Sequence, residues 1–201
     1  MLTEMFLPFA TSREDAPAVT RVKGTWLVSS IRTLRAQGHF AKYEVNLEAS
    51  AKERVLQLTP QEWLPAAYLD AHYMACETLE LPGSEAYALG FNTLKHSHQS
   101  VLAMTARLAQ AGGVTPWSVF SQFHKMWGRS FVGGDIEILK IGPKEARVEV
   151  LGLGCGRFRY CRNGIRGVLA GMAELFCGKA YVNEVAWRST DTSLVLRIAW
   201  A

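Results

Sequence analysis

The chain has 201 residues, 49% hydrophobic and 20% charged, which fits one compact domain with a full core. Its 22 basic and 18 acidic residues leave a formal charge of +4, without the dense Lys/Arg clusters of a nucleic-acid binder, so no nucleic-acid partner is expected. The four cysteines, Cys76, Cys155, Cys161 and Cys177, form no CxxC pair and lie in apolar segments, which argues against a disulfide scaffold and for buried thiols in a reducing compartment.

Residues 1–20, with Pro8, Pro17 and the polar run Thr11–Asp15, read as an irregular arm whose apolar start, Met5-Phe6-Leu7-Pro8-Phe9, docks on the body. No basic stretch followed by an apolar run marks a leader, and no later segment has the length of an uncharged membrane span, so a cytoplasmic location is expected. From Val22 to Gln37 the pattern is helical, with Gly38 at the C-cap position. Thr59-Pro60-Gln61-Glu62 combines an N-cap, a proline at the first helical position and a carboxylate in the first turn, which predicts a helix from there to about Leu79. Pro82-Gly83-Ser84 opens the next, which runs to about Ala111, and Thr115-Pro116 opens another to about Phe131.

After Gly133-Gly134 the period changes from helical to alternating. Asp135–Ile141 and Glu145–Leu151 form one predicted hairpin, a helix covers about Phe158 to Phe176, and Lys179–Trp187 with Ser193–Trp200 form a second hairpin. In the last strand Leu194, Leu196, Ile198 and Trp200 share one face, which must be the core face. The expected fold is α+β: an N-terminal helical layer packed on a four-stranded antiparallel sheet, with a ββαββ C-terminal half and residues 21–201 as a single domain.

The stretch from Phe158 to Leu169, Phe-Arg-Tyr-Cys-Arg-Asn-Gly-Ile-Arg-Gly-Val-Leu, with an apolar helix end and two strands behind it, resembles the superfamily of TRAPP vesicle-tethering subunits, vinyl-reductase-type effector-binding domains and haem nitric-oxide-binding domains. The order of elements and the Gly133-Gly134 entry to the first strand also resemble an uncharacterised myxobacterial family of similar length. The resemblance implies a helical layer over a four-stranded antiparallel sheet, dimerisation through helices and an apolar pocket for a hydrophobic ligand.

The Phe158 helix has three faces: an apolar one that includes Cys161 and Ile165, one with Gly164, Gly167 and Gly171, and one with Arg159, Arg162 and Arg166. Glycines in a helix interior cost about 1 kcal/mol each relative to alanine, so three on one face point to a closely approaching backbone or ligand. The arginine face is either solvated or open to an anion or acidic surface. Trp117, Phe120, His124, Trp127 and Phe131 fall at spacings of three and four, a core stripe or an interface anchor in which His124 stands where a haem or metal ligand would also be found. No second ligand is spaced to match it. His72 and Cys76 lie one turn apart, and two ligands do not make a site; His96 and His98 point apart on a helix. No cofactor, haem or structural zinc is therefore expected.

No hydrolase elbow, P-loop, dinucleotide fingerprint or zinc-protease signature is present, and Gly152-Leu153-Gly154-Cys155-Gly156 resembles a phosphate loop only in its glycine count. The sequence reading is thus a non-catalytic sensor or adaptor that binds a hydrophobic small molecule or a partner protein and works as a homodimer, with Trp117, His124, Trp127, Cys161, Arg162 and Arg166 as candidate ligand-binding residues. The alternative is an enzyme with a cysteine/arginine site beside the Gly152–Gly156 loop.

Overall fold

A computed structural model describes residues 4–97 and 115–201. The strands are β1 (Glu4–Leu7), β2 (Arg21–Lys23), β3 (Trp63–Pro65), β4 (Phe131–Val132), β5 (Asp135–Gly142), β6 (Glu145–Leu151), β7 (Ala180–Glu184) and β8 (Ser193–Trp200). The helices are α1 (Gly24–Ala36), α2 (Phe40–Asn46), α3 (Ala49–Leu56), α4 (Ala66–Glu77), α5 (Gly83–Ser97), α6 (Pro116–Phe120), α7 (Phe123–Ser130) and α8 (Arg159–Glu174). The predicted helix end near Ala111 lies outside the described residues.

The α+β architecture and both C-terminal hairpins are as predicted, with α8 as the connection between them. The main sheet is antiparallel and has five strands rather than four, in the order β1-β5-β6-β8-β7. The extra edge strand comes from the N-terminal arm: Glu4 pairs with Lys140 and Met5 with Leu139. Beyond β1 the arm is held down by main-chain and side-chain bonds. Asp135 accepts from both the N–H and the hydroxyl of Thr11, and Gly134 and Val19 bond to Pro17 and Gly152. The alternation read for the last strand is realised, since Leu194, Leu196 and Ile198 are fully buried and Trp200 nearly so.

Two helical expectations are corrected. Residues Thr59–Glu62 form a turn and not a helix start: the Glu62 carboxylate accepts from the Thr59 N–H and hydroxyl at 3.1 and 2.7 Å, the contact of a capping box closed on itself. The chain then runs as β3, which joins β2 and β4 in a small antiparallel sheet, and α4 starts only after Pro65. The helix expected from Pro116 to Phe131 is broken at Ser121-Gln122 into α6 and α7. The break turns the aromatic stripe around a corner. Trp117 and Phe120 pack edge-on against Trp200, whereas Trp127 packs on Phe131, which meets Trp26 of α1.

Helices α5 and α8 cross with their backbones nearly touching. A Cβ at Gly90 would sit 2.0 Å from the Gly164 carbonyl oxygen, and one at Gly167 would sit 2.0 Å from that of Tyr87. Gly167 of α8 and Gly90 of α5 are therefore the positions at which this helix-packing seam requires glycine, whereas a Cβ at Gly164 would meet nothing within 4 Å. One continuous hydrophobic core joins the inner face of the sheet, α8 and the N-terminal helices.

Candidate functional site

An apolar concavity lies between α1, α5, α7 and α8. It has a volume of about 220 Å³, and its lining combines hydroxyl-bearing residues, Ser29, Ser30, Thr33, Tyr73, Thr93 and Tyr160 among them, with the apolar Trp26, Leu89, Met126, Ile165, Val168 and Met172. A smaller, almost wholly apolar annex of about 100 Å³ shares Trp26, Met126, Ile165, Val168 and Met172 with it and extends toward Phe123, Trp127, Phe131 and the sheet residues Ile136 and Val150. The sequence places these groups simply. The polar residues of α1 recur on one side of that helix, and the apolar stripe of α8 turns Ile165, Val168 and Met172 toward them.

A buried polar network backs the hydroxyl-bearing residues. His72, fully buried on α4, has its Nδ1 2.8 Å from the Tyr43 hydroxyl and its Nε2 3.0 Å from Ser30 Oγ. Burial lowers its pKa to about 3, so the imidazole is neutral, with both ring nitrogens bonded. Cys76 Sγ lies 3.7 Å from the same Nε2, which makes the His72–Cys76 spacing part of this network. Among the described residues no group of three or more His, Cys, Asp or Glu side chains is arranged to hold a metal. Beside His72, Trp26 Nε1 donates to the Tyr73 hydroxyl at 2.8 Å. Burial drives the Tyr43, Tyr73 and Tyr160 phenols well above their ordinary value, so all three stay protonated.

The six residues singled out in the sequence are not brought together. Trp127 lies in the annex wall, with its Nε1 donating to the Gly133 carbonyl. Trp117 is packed between Phe6 and Trp200. His124 Nε2 donates to the Ile136 carbonyl at 2.9 Å and lies 3.9 Å from the Asp135 carboxylate. Arg162 is an internal clamp, bonding Glu184, the Thr190 carbonyl and the Gly156 carbonyl. Arg166 donates to the Val182 carbonyl on the free edge of β7 and to Asn163. Cys161 and Cys155 are buried with their sulfurs 3.0 Å apart, and burial pushes the Cys161 thiol up, away from a reactive thiolate. The residues that sequence reasoning missed are Tyr43, Ser30, Trp26 and Tyr73. Tyr43 and Tyr73 belong to the hydrophobic core and Trp26 packs against it, so in the sequence they read as ordinary core aromatics.

No family model matches the sequence, and no curated protein matches it at a significant level. Solved structures do. The Fe(II) unliganded H-NOX protein from K. algicida superposes with a TM-score of 0.61 at 9% identity, covering 89% of this chain and 96% of that one. A point mutant of the T. tengcongensis H-NOX gives 0.56 at 17%, covering 89% and 97%. An oxygen-binding H-NOX domain related to soluble guanylate cyclases gives 0.55 at 16%, covering 89% and 94%. At these identities the likeness shows the fold: the chain has the α+β architecture of the haem nitric-oxide-binding domains, the branch of the resemblance to which these structures belong.

A haem does not fit the described residues. The cavity and its annex together reach only the lower end of the roughly 300–1,000 Å³ of ordinary ligand sites, room for a small molecule and not for a porphyrin. Both nitrogens of His72 are bonded, His39 pairs with Glu85, and neither His39 nor His124 lies in the walls of the cavity or its annex. His98 and the side chain of His96 lie outside what is described. Among the described residues no helix is long and apolar enough to cross a membrane.

Proposed function

We propose that this chain is a non-catalytic sensor domain that takes a small, largely apolar molecule into the cavity between α1, α5, α7 and α8. The observation that carries the reading is the cavity itself: it lies between the N-terminal helices and α8, which packs on the sheet, so a ligand there touches both parts of the fold. The H-NOX structures include an oxygen-binding domain related to soluble guanylate cyclases, which supports a sensing role for the fold. At about 30 Å³ per water-sized group, the cavity takes roughly seven such groups, and the annex a few more. Of the sequence candidates, Trp127 belongs to this site, and the other five act in our reading through the scaffold. An enzyme at the Gly152–Gly156 loop is less well supported, because Cys155 and Cys161 are sealed in and Arg162 is consumed by Glu184.

We also propose a cytoplasmic homodimer. Trp117 and Trp127 are engaged in the core, so the contact falls to other helical surface, where Val45 of α2 and Met74 of α4 are exposed. The ligand reading is tested by titrating the protein with ethylbenzene while following tryptophan fluorescence and thermal stability. Saturable binding that Val168→Phe abolishes is the expected result, since Val168 lines both the cavity and its annex. Absence of binding to the wild-type protein would reject it.

A further inference from the structure

We infer that the Tyr73 hydroxyl is the group that reads the ligand, and that the ligand is an uncharged molecule carrying one acceptor oxygen, a ketone, aldehyde or ester carbonyl, on a small apolar body. This rests on the cavity being a ligand site, and it adds which chemistry the site selects. A tyrosine hydroxyl has one proton to give and can also accept. At Tyr73 the accepting side is filled by Trp26 Nε1 at 2.8 Å, while among the described residues no acceptor takes the Tyr73 proton. Tyr73 is only 6% exposed and lies in the cavity wall. A buried donor without an acceptor is costly, and an oxygen supplied by the ligand removes the cost. The incoming Trp26 bond polarises the phenol and makes it a stronger donor.

The same wall argues for a neutral ligand. Tyr73, Tyr160 and Ser30 are neutral groups, and the histidine behind Ser30 is buried and has both nitrogens bonded. Among the described residues no cation is placed to balance a carboxylate beside Tyr73. The one charged residue of the described lining, Lys23, is held with its Nζ 4.9 Å from the centre of the Trp63 ring. An ionised head would lose its hydration without compensation, whereas a carbonyl gains a donor. The apolar part of the lining, Ile165 and Val168 of α8 among it, takes the apolar body.

The test compares three probes of one skeleton, acetophenone, ethylbenzene and benzoate, against wild-type protein and Tyr73→Phe by calorimetric titration. Wild-type protein is expected to bind acetophenone about tenfold more tightly than ethylbenzene, and benzoate more weakly than either. In Tyr73→Phe the preference for acetophenone over ethylbenzene is expected to vanish while ethylbenzene binding is kept. The ratio is read within one protein, so a general loss of stability does not mimic it. If Tyr73→Phe does not fold, the infrared carbonyl stretch of acetophenone bound to wild-type protein decides: a shift to lower frequency than in hydrocarbon solvent supports the hydroxyl contact, and no shift overturns it. Equal affinity for acetophenone and ethylbenzene, or tighter binding of benzoate, overturns the inference and leaves the apolar cavity standing. Failure of all three probes to bind overturns both.

Discussion

His72 and Tyr43 meet at 2.8 Å between Nδ1 and the phenol oxygen, with no solvent exposure at either residue. The pair fastens α4 to α2, and through Ser30 to α1, so three of the N-terminal helices are joined by one neutral imidazole.

Acid should release that joint. The pKa of His72 is lowered from 6.5 to about 3 by burial, so between these values the unfolded chain holds a proton that the folded chain does not. The His72 contribution to stability is therefore complete above the upper value and is lost as pH falls toward the lower one. Urea midpoints across that interval should fall more steeply for wild-type protein than for His72→Asn, which will be less stable at neutral pH but lacks the titration.

The α5–α8 seam predicts opposite signs for similar changes. Gly90→Ala and Gly167→Ala each drive a methyl group into a backbone carbonyl and should cost about 1–3 kcal/mol or more. Gly128→Ala on α7 meets nothing within 4 Å and should stabilise by up to about 1 kcal/mol. Thermal denaturation of the three variants checks both signs.

On the outer face of the sheet, Glu149 is buried, contacts Arg13 of the arm and lies 4.0 Å from Arg188. It stands opposite Glu137, whose carboxyl burial and Glu149 together push up. Arg13→Ala leaves a buried carboxylate poorly compensated and should cost about 1–3 kcal/mol. Adding Glu149→Gln should recover most of that loss, and chemical denaturation of the two single variants and the double variant measures the coupling.

The homodimer predicts a concentration-dependent mass. Light scattering at micromolar concentration should report two chains, and Val45→Glu with Met74→Glu should give one chain with an unchanged melting temperature. A wild-type mass of one chain that persists at higher concentration would reject the dimer.

The C-terminal half was legible because its signals are local. Leu194, Leu196, Ile198 and Trp200 alternate within one strand, and Gly142-Pro143-Lys144 marks a turn between two such runs. The N-terminal half depended on partners far along the chain. Thr59 and Glu62 satisfy a helix-start pattern, and only the pairing of Trp63 and Leu64 with Lys23 and Val22 makes the next residues a strand. His72 was visible beside Cys76, but the groups that define its chemistry are 29 and 42 residues away. Met5-Phe6-Leu7 is too short a run to announce a strand, and α2 and α3 carry no start signal of the strength seen at Thr115-Pro116.

The arm also sets an order of assembly. Thr11 holds Asp135 across 124 residues of sequence, so the outermost strand cannot close until nearly the whole of the intervening chain is in place. The hairpins of β5–β6 and β7–β8 can form from near neighbours, and during that time the far edge of β5 stands open with its main-chain groups unsatisfied. Whichever arm arrives first completes the sheet. A neighbouring copy carries an identical arm, so the yield of correctly closed protein on refolding is expected to fall as concentration rises.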